Sequence, residues 1–79
     1  MDIILRELCR VHDLTTISVM VQPRFNSVTV YPHWDEDGID RCVSRTGKTF
    51  DEAIAGALVE VSTHRSQAAI AKATGADHA

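Results

Sequence analysis

The segment that most resembles a chemical motif is Thr46-Gly47-Lys48-Thr49, whose Gly-Lys-Thr ending falls between a strand pattern and a helix pattern as in a phosphate-cradling loop. Such a loop needs a further glycine five residues before Gly47, so that the backbone can wrap the phosphate, and Cys42 stands there. A capped helix start accounts for the same residues without a ligand. Asp35, Glu36, Asp37, Gly38 and Asp40 have the acid density of a calcium loop. With Gly38 at that loop's sixth position, however, His33 falls at the first and Ser44 at the twelfth, where carboxylates are required. An acidic hairpin turn is the simpler reading. His12, His33, His64 and His78 with Cys9 and Cys42 supply zinc-type donors, but only Cys9 and His12 lie one helical turn apart and no second close pair completes a site. Ser62, His64 and Ser66 sit close together without the strained turn or oxyanion loop that activates a serine. No catalytic residue, cofactor or metal ligand is assigned, and a non-enzymatic role is expected.

The elements that would position these residues must fit in 79 residues, which is one small domain. Hydrophobic residues make up 44% and charged residues 24%, a globular balance that argues against disorder. Eight basic and eleven acidic side chains give a formal charge of −3, so the overall field does not attract nucleic acid or an anionic membrane. No run reaches the ~18 to 20 apolar residues of a membrane span, and the start lacks a signal-peptide pattern, so a cytoplasmic location is expected. Two cysteines are too few for a disulfide framework, and reduced thiols are expected.

Ile4, Leu5, Leu8 and Val11 recur at helical spacing behind Asp2 as a candidate N-cap, predicting a helix over about residues 3 to 12. From Thr15 the period becomes two. Ile17, Val19 and Val21 alternate with Ser18, Met20 and Gln22 up to Pro23, predicting a strand. A turn at Pro23 to Asn26 leads to a second strand, which Pro32 is expected to end. The Asp37-Gly38 pair introduces a third strand over Ile39 to Ser44. Thr49 and Glu52 have capping-box spacing and open a second helix at Phe50, with Ile54, Ala57, Leu58, Val61 and Ala68 in one stripe. The alanine-rich end is expected to extend into solvent or fray. The predicted fold is α+β: a three-stranded antiparallel meander with two helices packed on one face, in the order α-β-β-β-α. Residues 1–73 form the single domain and 74–79 a flexible C-terminal tail.

Alternation places Ile17, Val19, Val21, Val28, Val30 and Cys42 inward against Leu8, Val11, Ile54, Leu58 and Val61. It sends Met20, Tyr31, Ile39 and Val43 outward, an apolar face suited to a partner or to dimerisation. The expected protein-contact residues are Met20, Tyr31, His33, Trp34, Asp35, Glu36 and Asp37, because aromatic side chains beside a charged rim are typical of interface centres. Trp34 has a second reading, as a lid folded over the core. Arg24, Arg41, Arg45 and Lys48 form the alternative, a nucleic-acid-binding set.

Two resemblances rest on the segment from about Val28 to Val61. The helix-strand-strand-strand-helix order with the alanine-rich Glu52-Ala53-Ile54-Ala55-Gly56-Ala57-Leu58 resembles the double-stranded-RNA-binding domain. That likeness implies phosphate contacts at the start of the second helix, where Lys48 stands. Thr49-Phe50-Asp51-Glu52-Ala53 after a short strand resembles the ending of HicB-like antitoxins, whose small sheet binds a toxin. The short acidic chain without a catalytic motif is also similar in style to phage-encoded inhibitors such as anti-CRISPR proteins. Together these imply a protein-binding regulator or inhibitor, of phage or mobile-element type, with an unidentified protein as partner. Nucleic acid is the second choice of partner and a homodimer an open option.

Overall fold

In the computed structural model the described residues are 2–74. Helix α1 spans Asp2–His12, strand β1 Thr16–Gln22, β2 Ser27–Glu36, β3 Ile39–Cys42, β4 Arg45–Gly47, and helix α2 Phe50–Thr74. The fold is α+β, an antiparallel sheet with both helices packed on one face. Of the expected tail, 74–79, Thr74 is the last residue of α2 and the remainder lies outside the described residues.

Asp2 falls inside the first turn of α1 rather than ahead of it, where its carboxylate lies 3.1 Å from Arg6. Asp13, with φ at 53°, ends the helix, and the Leu14 amide reaches back to the Cys9 carbonyl at 2.9 Å. This is the six-residue closure usually made with glycine at the left-handed position. Leu14 is buried beside Cys9, the apolar contact that accompanies such a stop.

Strand β2 is the centre of the sheet. β1 pairs along its whole length, from Thr16 opposite His33 to Gln22 opposite Ser27. A 3₁₀ turn at Pro23–Phe25 makes the first connection, closed by Asn26 in the left-handed region. The second is a two-residue hairpin in which Asp37 and Gly38 have φ of 54° and 84°, the signs of a type I′ turn. On the far side of β2, β3 and β4 share one continuous register, His33 opposite Cys42 and Val30 opposite Arg45. They are two halves of a single outer strand, interrupted at Val43 and Ser44.

Pro32 causes the interruption. It was expected to end the second strand, yet β2 runs through it, because a proline costs the ladder one donor and leaves φ compatible with extended chain. The Val43 amide donates to the Pro32 carbonyl at 3.3 Å, but Pro32 has no N–H to return. The Cys42 thiol points to the Val43 carbonyl instead, at 3.4 Å.

Even-numbered residues of β2 face the helices. Val30, Pro32 and Trp34 are buried, and the register brings Val19, Ile17 and Val43 to the same side. One core cluster gathers Val30 with Ala53, Ile54 and Ala57; the other gathers Leu14, Trp34, Val43 and Val61. The expected orientation of the outer strand is therefore inverted. Val43 is core at 8% exposure, whereas Cys42 is exposed on the opposite face beside His33. Val21 and Val11, expected inside, are 62% and 57% exposed, since Val21 lies at the strand end and Val11 on the flank of α1.

Thr49 caps α2 as expected, its hydroxyl accepting from the Glu52 amide at 3.1 Å. Alanines at 53 and 57 let α2 lie close to the sheet. Farther along, the Arg65 guanidinium donates to the carbonyls of His12 and Asp13 at 2.5 and 2.6 Å. The same group lies 5.7 Å from the centre of the Trp34 ring, within cation–π range. Arg65 thus ties the end of α1, the middle of α2 and the central strand together.

Asp13 is an acidic residue whose Cβ is strained in a conformation that favours glycine, at a helix end that disfavours negative charge. Asp13→Gly removes both penalties while keeping the carbonyl that Arg65 holds. It is expected to raise stability by about 0.5–1 kcal/mol, after allowance for the greater freedom of glycine in the unfolded chain. Urea unfolding of the two proteins measures this.

Candidate protein-contact face

The face of the sheet opposite the helices carries the odd-numbered residues of β2 and their cross-strand partners. Tyr31 lies near its middle, paired to Ser18 on β1. His33 stands between Thr16 and Cys42, and Thr29 between Met20 and Thr46. The hydroxyls of Thr29 and Thr46 are 2.7 Å apart, a direct cross-strand hydrogen bond that helps explain why Thr29 is buried on an open face. His33 Nδ1 and Asp40 Oδ2 are hydrogen-bonded at 3.1 Å. Among the described residues no helix or loop covers this face.

Of the expected contact residues, the structure brings Met20, Tyr31, His33 and Asp35 onto this one face. The other three go elsewhere, because the strand continues through Pro32 and its alternation continues with it. Trp34 is 2% exposed and belongs to the core, neither a contact residue nor a lid. Glu36 turns to the helix side and lies 3.3 Å from Arg41. Asp37 sits at the hairpin tip in an ion pair with Lys72 near the end of α2, and that carboxylate holds the lysine above its ordinary pKa. An open cleft of about 430 Å³ lies between the hairpin and α2, with Asp13, Asp35, Arg65 and Lys72 in its walls.

The basic set does not assemble into a phosphate-binding patch. Arg41 is matched by Glu36, and Arg45 lies 3.4 Å from Glu60 across α2. Both point to the helix side of the sheet, while Arg24 lies in the 3₁₀ turn and Lys48 in the loop before α2. Gly47, the glycine of the Gly-Lys-Thr sequence, has a packing role. A Cβ there would stand 2.8 Å from the Ala53 backbone nitrogen, so only glycine lets β4 pass beneath the first turn of α2. Among the described residues no three His, Cys, Asp or Glu side chains are grouped to hold a metal ion. His78 lies outside them. No described helix is long and apolar enough to cross a membrane.

Sequence reasoning missed the hydroxyl character of the face. Thr16, Ser18, Thr29, Thr46 and Tyr31 share it, and alternation carried through Pro32 would have shown them together. Comparison with protein-family models, with curated proteins and with solved structures gives no significant match.

The Cys42 thiol on this face has its pKa raised, first by its partial burial and then by the nearby Asp40 carboxylate. Less thiolate is therefore present at a given pH than at an unperturbed cysteine, and alkylation is correspondingly slow. Asp40→Asn removes the second cause. The pH–rate profile for iodoacetamide at Cys42, followed by mass spectrometry, is expected to move to lower pH in that variant.

Proposed function

We propose that this chain is a non-catalytic protein-binding module, a regulator or inhibitor that acts by covering a partner's surface with the open face of its sheet. The observation that carries the reading is the placement of Tyr31 near the middle of an uncovered face, flanked by Met20, His33 and a set of hydroxyls. Tyrosine and serine in combination give large contact area at small entropic cost, together with adaptable hydrogen bonding, as in antibody paratopes. The acids of the β2–β3 hairpin border one end of the face, and Asp35 and Asp40 there offer a charged rim. Of the residues that a nucleic-acid reading requires, Arg41 and Arg45 are matched by carboxylates on the other side of the sheet and Arg24 and Lys48 lie in separate connections, which favours a protein partner.

Tyr31→Asp places a charge at the centre of this face without touching either core cluster. Affinity capture with the tagged protein, quantified by mass spectrometry, is expected to lose the specific partner at least tenfold in this variant, with the far-ultraviolet circular dichroism unchanged. A hot-spot loss of about 2 kcal/mol or more is the scale expected of a central aromatic. Capture that survives Tyr31→Asp, or that is abolished by nuclease and by moderate salt, overturns the reading.

A further inference from the structure

The two edges of the sheet are unlike. The outer edge is broken at Val43 and Ser44 and carries Asp40, Arg41 and Arg45, features that discourage pairing with another strand. The β1 edge has neither device. It is continuous over seven residues, and from Leu14 to Pro23 the chain carries no charge.

The register determines which groups this edge offers. The Pro32 carbonyl is aimed at the outer strand, so its neighbours Tyr31 and His33 direct their backbone groups to β1, and the residues opposite them, Ser18 and Thr16, are used in that ladder. Ile17, Val19 and Val21 consequently present N–H and C=O to the free side. Their side chains lie on the helix side of the sheet, and Val21 is 62% exposed.

We infer that β1 pairs with β1 of a second copy of this chain, antiparallel and centred on Val19, to give a continuous sheet across a two-fold axis. This centre sets each Val19 against its own counterpart and each Ile17 against Val21 of the second copy. All three outward-facing residues are then hydrogen-bonded, about six backbone bonds in total. The exposed Val21 gains apolar contact, because beside Ile17 a groove opens under α1, lined by Leu5, Cys9 and Ile17 together with Asp2, Arg6 and Thr15. Charge is complementary at the ends. Asp13 precedes the strand and Arg24 follows it, so antiparallel pairing brings each Arg24 toward the Asp13 end of the other copy. No like charges meet along the strands themselves, although each copy carries −3 overall. The pairing leaves the Tyr31 face of both copies open and stands whether or not that face binds a partner.

Light scattering coupled to size exclusion at tens of micromolar is expected to give twice the 8.7 kDa chain mass. Val21→Lys, which sets a charge against Ile17 of the second copy and a second one across the axis, is expected to return the mass to that of one chain. Tyr31→Asp is expected to leave the doubled mass unchanged. Amide exchange of the wild type gives a reading that needs no variant. The Ile17, Val19 and Val21 amides are expected to be protected at high concentration and to exchange at least tenfold faster on dilution to monomer. A wild type that is monomeric at these concentrations, a doubled mass that survives Val21→Lys or is lost with Tyr31→Asp, or edge amides indifferent to dilution overturns the inference.

Discussion

The guanidinium of Arg65 is the contact on which the arrangement of the helices depends. Helix α1 contains no buried residue and rests on the flanks of Leu8 and Cys9, so its own apolar contact fixes it weakly. Its last carbonyls, left without intrahelical donors, are met by a charged fork from α2. The fork is itself held over the Trp34 ring, which the central strand pushes into the core. One side chain therefore satisfies a helix end, covers an aromatic face and sets the distance between two helices. The indole Nε1 beneath it is buried without a hydrogen-bond partner among the described residues. An unmet donor of that kind costs about 1–3 kcal/mol, within the scale of what burying so large a ring contributes.

The parts of this fold that were legible in the sequence are those with a local cause. Alternation from Ile17 to Val21, the Asp37-Gly38 turn and the Thr49 cap each act over a few residues, and each lies where the pattern put it. Pro32 misleads, because a missing donor in a strand pattern points to a strand end. A central strand tolerates that loss when the neighbouring strand is interrupted at the same place, and nothing local to Pro32 reveals the interruption. Ending the strand early also hid Trp34, which shares its face with Val30 and Pro32 only if alternation continues. The exchange of Cys42 and Val43 has the same origin, since a period of two turns a one-residue error into the opposite face.

The candidate site was legible to the same extent. Met20 and Tyr31 are placed on one face by strand alternation alone, whereas His33, Asp35, Glu36 and Asp37, all past Pro32, are grouped with them only by proximity in sequence, and His33 and Asp35 reach the face because the strand continues. The carboxylates of Glu36 and Asp37 face Arg41, across the hairpin, and Lys72, which only the tertiary arrangement brings near. A run of acids next to an aromatic therefore divides between a contact face, an ion pair at the strand edge and an ion pair to a distant helix. The Gly-Lys-Thr sequence shows the same limit, for its glycine answers to the approach of α2 at Ala53, a contact that sequence spacing alone does not display.

The break opposite Pro32 separates two sets of side-chain pairs along the outer strand. On one side, β3 and the hairpin are anchored by His33 with Asp40, Arg41 with Glu36, and Asp37 with Lys72. On the other, β4 is anchored by Thr46 with Thr29 and by Arg45 with Glu60. No side chain is common to these two sets of pairs, although both halves rest on β2 and α2, so the hairpin is the part able to open while β4 and the start of α2 stay formed. Substitutions in one half should combine additively with those in the other, although both lie along what would otherwise be a single strand. The hairpin is thereby free to vary in length and charge without disturbing the packing that β4 and α2 share.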